Sequence, residues 1–515
     1  RTRTPEFNGG ETYHLRATLR AGSFDLLNPS ALLELKLSDK VNASLSAEWI
    51  NSSGKYKFRY RRVNPAGELA YDTTAVRQNG DINATRLEAN LNGVVKSGQW
   101  HFKVYNYNSE RGVPGAIVNN VWRRGERIWD TNSFAQVNYT QTFGKFTTLN
   151  NLKYAFYRTH YVNNDDKQIK IDNLYKQKEV YFSSANEYVL FPWWHVSAAY
   201  DFQWNTLDAD VYGFAQPDRF SNMLSVATAF DLGRLKAQAS VLATFIHDSL
   251  KGQQSPSDKH VLTPAAFVSY TLVRGLSARA FYKQSYRMPT FNDLYYADMG
   301  NSKLNPERVT QYNLGLLFSK RGGGLVSEMR FSGDAYYNYV KDKIVAYPKG
   351  QQFRWTMLNL GVVKINGLDT KADMSLSLPM RFVLRLRLNY TYQTAIDVTN
   401  PSDTYYRHQI PYIPWHSGSA VAGLDYGSRR GDHYGLNYSF IYVGERYGQQ
   451  ENTVFNYVQP WYTHDLSLYG EWNIVQRHTL KLTLEVNNLL GQDYEVIQNY
   501  PMPKQNFRCT LAYRY

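Results

Sequence analysis

Cysteine is nearly missing from this 515-residue chain: Cys509 stands alone, so no internal disulfide can form. No cysteine or histidine cluster has the spacing of a zinc site. No run of about 18 apolar residues exists, which excludes a transmembrane helix. G-x-S-x-G, P-loop and H-E-x-x-H motifs are absent, and an enzyme is not expected. Paired acids such as Asp369 and Asp373 fall in strand-like segments, where charge on one face needs no catalytic explanation. The net charge of +14 invites a nucleic-acid reading, but Lys and Arg are scattered through strands and loops and form no helix-borne stripe. Phosphate-bearing lipid headgroups or an anionic solute are the better expectation. The opening RTRTPEFN has neither a charged n-region nor an apolar h-region, which leaves the compartment open.

What the chain has in quantity is aromatic side chains. There are 42 Tyr, 25 Phe and 11 Trp, 15% of residues, yet mean hydropathy is −0.51. A chain so rich in rings and still polar on average must keep the two kinds of residue apart. The stretch RFVLRLRLNYTYQ shows how. Phe382, Leu384, Leu386, Leu388, Tyr390 and Tyr392 alternate with Val383, Arg385, Arg387, Asn389, Thr391 and Gln393. A period of two is a β-strand with one apolar and one polar face. HLRATLRA, HYGLNYSFIY, TLKLTLEVNN and the final NFRCTLAYRY repeat it, and Cys509 reads as a small apolar residue on the outward face of the last strand.

The connections alternate as well. LSDK, TFGK, LFPW, DLGR, LVRG and SLPM carry tight-turn residues. Between them lie long polar stretches: RVNPAGELAYDTTAVRQNGD, NSERGVPGAIVNNVWRRGE, WNTLDADVYGFAQPDR, RMPTFNDLYYADMGNSKLNPE, YPKGQQFRWTMLNL and DVTNPSDTYYRHQIPYIPWH. This predicts an all-β chain, residues 1–515, forming one transmembrane antiparallel β-barrel of about 22 strands, with short turns on the periplasmic side and long loops outside. A soluble antiparallel sheet also alternates, but its strands are usually 5–6 residues long and its connections do not follow a strict short-long rule. Lipid offers the backbone no hydrogen-bond partner, so the sheet must close. Arg385 and Arg387 on the lipid face would each cost about 2–4 kcal/mol at the midplane, so they face the lumen. Rings near strand ends, as in YNYNSERG, VLFPWWHVSAAY, YYNYVKD and NYTYQ, are expected at headgroup level. A closed ring also explains a chain that finishes in mid-strand on Tyr515.

Three stretches resemble the family of TonB-dependent outer-membrane receptors. SYRMPTFNDLYYADMGNSKLNPERVTQYNLGL, Ser285 to Leu316, is similar to its R-x-P-T/S, L-Y, G-N, L-x-P-E and Y-N-L-G series. Val486 to Tyr515 resembles its closing segment, and QIPYIPWHSG, Gln409 to Gly418, its P-x-x-P-x-H loop exit. The resemblance implies energised uptake of a scarce, bulky solute across the outer membrane of a Gram-negative bacterium, driven by TonB, ExbB and ExbD through an N-terminal plug. The sequence departs from the family in having no plug before the first strand, which is expected to be omitted or removed. A passive porin-like channel, or a surface-binding barrel without energy coupling, is the competing expectation.

The resemblance further implies a solute site in the outer loops and upper lumen. The candidates are Arg287, Asn292, Tyr295 and Tyr296 in the family-like loop, with Trp355, Tyr405, Tyr406, Trp415, Tyr457 and Trp461 elsewhere. Large rings can clasp a rigid solute; they can equally stack on one another. Asp165 and Asp166, and Asp208 and Asp210, have oxygen-rich neighbours and are candidates for a structural calcium ion, though solvated turns look the same; no other cofactor is expected. No histidine lies between Arg287 and Pro306, which counts against haem. Tyr515 matches the terminal aromatic read by the outer-membrane assembly machinery. Expected partners are outer-membrane lipid and lipopolysaccharide, that assembly machinery, a surface lipoprotein and a small-molecule solute. Cobalamin or a ferric siderophore is the expected cargo.

Overall fold

Along the strand Phe382–Asp397 the side-chain period of two becomes an inside and an outside. Leu388 and Tyr390 are exposed on the outer wall. Arg387 turns the other way and donates to Asp373 of the neighbouring strand at 2.7 Å, and Arg385 pairs with Asp425 of the next. The same rule holds around the molecule. The structure, a computed structural model, describes residues 6–7, 10–63, 68–117, 125–165, 170–296, 299–349, 354–475 and 477–515.

Twenty-two strands form one antiparallel sheet. Each pairs with the next ring strand in chain order, and the ring closes where Tyr13–Gly22 pairs with Asn506–Arg514, from Arg16 opposite Arg514 to Gly22 opposite Arg508. Leu15 and Tyr515 exchange both backbone bonds, at 3.0 and 2.8 Å. At about 4.8 Å between strands and about 40° of tilt, the ring is about 40 Å across, too wide for side chains to fill.

The six expected tight turns all lie at one end of the barrel, hereafter the turn end; the long connections lie at the other, the loop end. Gly144, Gly233 and Gly275 take positive φ in those turns. Two predicted loops are different. RVNPAGELAYDTTAVRQNGD holds the strand Leu69–Val76, which pairs with Lys57–Val63 in a hairpin outside the ring. YPKGQQFRWTMLNL is mostly strand, because the partners Val326–Lys349 and Arg354–Ser377 run 24 residues each and project far beyond the wall. Their cross-strand pairing continues to Lys349 opposite Arg354, so the polar sequence there belongs to paired strands and not to a loop, and Ile344 and Leu360 are buried against other segments of the mouth.

The aromatic rims are partly as expected. At the turn end Phe191, Trp193, Trp194 and Phe230 stack on the outer wall with centroids 5.4–6.3 Å apart. Tyr105 and Tyr107 of YNYNSERG are a correction. They share a face with Lys103, which pairs with Glu88 at 2.9 Å inside the barrel, so they line the lumen. There Tyr105 stacks on Phe134 at 4.9 Å. Tyr336 of YYNYVKD also turns inward, donating to Gln393 at 3.2 Å and lying over Gly367, where a Cβ would overlap its ring.

Candidate functional site

The loop-end connections build the site, and the family-like segment is its firmest part. Arg287 ends the strand Leu276–Arg287; Met288 and Pro289 then lead to a short helix, Phe291–Tyr295, capped by Thr290. Thr290 accepts from the Asp293 backbone and Asp293 accepts from the Thr290 backbone, a reciprocal pair that fixes the turn. Asp293 also receives Arg287 at 3.1 Å. Arg287 thus has a structural partner, and Asn292 is left exposed.

Two residues that sequence reasoning missed hold this helix to the wall. Arg219 and Asp248 are buried and paired across adjacent strands. Arg219 also donates to the Pro289 carbonyl at 2.6 Å and lies 5.1 Å from the Phe291 ring centroid. Phe291, Tyr295 and Tyr296 then pack with Tyr175, Leu207 and Phe214. Tyr296 and Tyr175 rings are 4.7 Å apart. Burial pushes the Tyr296 hydroxyl well above its ordinary range, with Asp130 adding to the shift, so the ring stays neutral and apolar.

From here a chain of contacts crosses the mouth. Asn301 donates to the Met357 carbonyl at 3.0 Å, and Met357 donates to the Met299 carbonyl. Trp355, two residues before Met357 on the projecting hairpin, donates to the Tyr500 hydroxyl at 3.3 Å and lies 6.3 Å from Tyr412. Arg77 sits 5.9 Å from the Tyr500 ring and donates to the Pro114 and Gly115 carbonyls. Ile117 donates to the Asn499 carbonyl at 2.9 Å. Tyr56 donates to the Pro501 carbonyl at 2.7 Å. These residues come from hairpins far apart around the ring, so the loops fold inward and meet over the lumen.

A second group of loops is locked by two buried polar side chains. Gln409 accepts from the Ala395 backbone and donates to the Gln393 and Ile413 carbonyls. Arg446 donates to the Glu495 and Val496 carbonyls at 2.8 and 2.7 Å, joining loop 444–460 to loop 488–505.

The other predicted aromatics divide between these assemblies. Trp415 meets Tyr447 edge-on at 6.0 Å, and Tyr447 meets Tyr457 at 5.8 Å. Tyr457 donates to Glu445 at 3.1 Å. Trp461 packs on Tyr494 at 4.7 Å. Tyr405 and Tyr406 lie half-buried in loop 398–415, with the Tyr406 backbone bonded to the Asp403 carbonyl. Trp355, Tyr295 and Tyr296 therefore share one cross-mouth network, while Trp415, Tyr457 and Trp461 belong to the neighbouring one.

The acidic candidates are engaged locally. Asp210 accepts from the Leu174 backbone at 2.7 Å and Asp208 from Gln216 at 2.7 Å. The Asp165 backbone donates to Asn163; Asp166 lies outside the described residues. Among the described residues no group of three or more His, Cys, Asp or Glu is placed to hold a metal ion. Asp369 and Asp373 are lumen-wall residues bonded to Thr391 and Arg387. Tyr515 packs against Tyr13 and His478 with tilted rings, each at 4.8 Å.

A wide, closed barrel with an apolar outer wall, a charged lumen and a mouth crossed by its own loops is a receptor-type transmembrane β-barrel. The chain belongs to the family described as TonB dependent receptor-like, beta-barrel, whose model matches residues 35–489. It is 22% identical over 342 residues to the vitamin B12 transporter BtuB of Vibrio vulnificus (strain YJ016), a match covering 65% of this chain and 49% of that protein. With the vitamin B12 transporter BtuB of Photobacterium profundum it shares 23% over 254 residues, 48% of this chain and 37% of the other. The matches thus span about half or less of the length of these curated relatives. Among solved structures, the copper transporter OprC superposes with a TM-score of 0.74 at 13% identity, covering 100% of this chain and 82% of the other. The FrpB iron transporter from Neisseria meningitidis (F3-3 variant) gives 0.73 at 12%, covering 98% and 82%. These likenesses establish the fold.

Proposed function

We propose that the protein is an energised outer-membrane transporter that takes up a scarce, bulky solute, cobalamin or a ferric siderophore, through this barrel. The observation that carries the reading is the cross-mouth network, in a chain of this family. A barrel about 40 Å wide whose loops bind one another over the lumen suits capture and release better than free diffusion. In this reading the long loops face outward, the turn end faces the periplasm, and the solute meets Trp355, Tyr295, Tyr296, Tyr412 and Tyr500 on the inner surfaces of the loops. Energy comes from TonB, ExbB and ExbD acting through a plug in the lumen, and Tyr515 serves as the mark read during assembly. The cobalamin transporters among its relatives and the iron-acquiring receptors among its structural neighbours support this choice of cargo.

The test is titration of the purified full-length protein with cyanocobalamin and with a panel of ferric siderophores, followed by uptake measurements in a deletion strain. Saturable binding by one class, with uptake lost on deletion and on dissipating the proton gradient, is the expected result. Uptake that survives without the gradient would make the barrel a passive channel.

A further inference from the structure

The lumen is not charged all the way round. Its face can be followed from strand to strand by register. Lys103 stands opposite Gln136, and Gln136 opposite Lys153. Lys153 pairs with Glu179 at 3.0 Å, and Glu179 receives Gln203 at 3.3 Å. Gln203 stands opposite Ser221, Ser221 opposite Ile246, and Ile246 opposite Lys259. On Asp218–Leu232 no Lys, Arg, Asp or Glu occupies this inner face between Arg219 and Asp231. On Leu235–Ser249 none does between Lys236 and Asp248, and on Lys259–Val273 none does beyond Lys259.

The strands on either side are charged. Asp201 accepts from Tyr181 at 2.7 Å on one flank, and Arg279 donates to Asp334 at 3.1 Å on the other. From the strand of Asp201 to that of Arg279 is four strand spacings, about 19 Å across the strands. From Arg219 to Asp231 is about 30 Å of height, at about 3.3 Å per residue and about 40° of tilt. Within this strip Ala227, Ser240 and Ala265 form one row across the three strands, where the side chains are short and the wall recedes. Lower down, Phe267 stands opposite Phe281.

A body that fills the lumen can grip the charged walls by charge-assisted hydrogen bonds, which are roughly twice as strong as neutral ones. Against these three strands it meets only hydroxyls, the Gln238 amide and apolar groups, so it parts from the wall at least cost here. The top of the same strip carries the buried Arg219–Asp248 pair, which holds the Pro289 carbonyl. The loop bearing Tyr295 and Tyr296 is therefore anchored at the head of the uncharged strip.

We propose that the solute crosses the barrel along the lumenal face of Asp218–Leu232, Leu235–Ser249 and Lys259–Val273, in a gap that opens between Ala227, Ser240 and Ala265 and the plug. A wall without charge of either sign lets a bulky solute pass without retaining it. The proposal rests on the energised-transport reading and adds the route to it.

The experiment uses the full-length protein carrying Cys509→Ser in intact cells, with fluorescein-5-maleimide added outside. Ala227→Cys, Ser240→Cys and Ala265→Cys are compared, one at a time, with Ser183→Cys, Ser332→Cys and Ser419→Cys on the charged lumenal walls. The electrophoretic shift of the folded barrel selects the variants that enter the comparison. The first set labels several-fold faster in energised cells than after a protonophore, while the second set changes little. An equal rise in both sets, a rise in the second set only, or slow labelling everywhere with and without the gradient overturns the route alone. Fast labelling at every position whatever the gradient means an open bore, and overturns the energised reading together with the route.

Discussion

Arg219 and Asp248 meet as a buried, two-pronged pair on adjacent strands, with Nε to Oδ1 at 2.7 Å and Nη2 to Oδ2 at 2.8 Å. The remaining guanidinium nitrogen holds the Pro289 carbonyl, so one ion pair fixes both the wall and the loop that carries Tyr295 and Tyr296. Asp248→Ala would leave Arg219 buried without its anion, at a cost of about 3–5 kcal/mol. The expected outcome is lower unfolding stability in detergent and faster proteolysis within 288–306. The double change Arg219→Met with Asp248→Leu should recover most of the stability while the loop stays loose. A double variant as unstable as the single one would contradict this account.

Trp355 and Tyr500 join hairpins that are distant around the ring. Tyr500→Phe removes one neutral hydrogen bond, about 1 kcal/mol, whereas Tyr500→Ala also removes the ring beneath Arg77. Hydrogen exchange should quicken across 488–505 and around Ile117 in Tyr500→Ala, and only slightly in Tyr500→Phe. The barrel's melting temperature should change little in either, since no wall contact is lost.

The loop network also has a predictable alkaline limit. Burial pushes the Tyr412 hydroxyl up to about 12 from an ordinary value of 10.0. The folded loop binds the proton more tightly than the unfolded loop, so this contribution is complete below about pH 10 and is lost as pH rises toward 12. Two pKa steps correspond to about 2–3 kcal/mol at most. Exchange in loop 398–415 measured from pH 8 to 11.5, taken relative to the intrinsic base-catalysed rate, should lose protection above pH 10, and Tyr412→Phe should flatten that loss.

The inside and outside of the wall can be tested with neighbouring residues of one strand. Leu388→Arg places a cation on the outer face and should cost about 2–4 kcal/mol if it lies near mid-membrane. Arg387→Leu loses an exposed ion pair with Asp373 and should cost less than about 1 kcal/mol. Refolding into lipid vesicles, followed by the shift in electrophoretic mobility of the folded barrel, reads both. Equal penalties would mean that the strand's faces are misassigned.

The barrel was legible because its rule is local. Leu384, Leu386 and Leu388 against Arg385 and Arg387 need only the pleat of one strand to be sorted, and turn residues such as Gly233 announce themselves. The site was less legible because its rules are not local. Arg219 and Asp248 are 29 residues apart and resemble any lumenal charges until the register makes them neighbours. Tyr412 and Tyr500 sit in polar loops, where a tyrosine has no periodic signal. Tyr105 and Tyr107 show the limit within a strand: rings near a strand end suggest a rim, and only the shared face with Lys103 turns them inward. The projecting hairpin around Trp355 reads as a loop because it packs on other segments through both faces, Met357 on one and Leu360 on the other, which erases the alternation by which a strand is recognised.

Leu15 and Tyr515, five hundred positions apart, exchange two of the bonds along the seam that completes the circle. All other neighbours in the ring are successive in the chain, so the wall can zip up hairpin by hairpin, yet until this last meeting two raw edges remain that hydrocarbon will not tolerate. Assembly is thus a race with one finish: a growing sheet has to be sheltered until its first ribbon finds its last, and any lesion in either ribbon is felt by every strand between them.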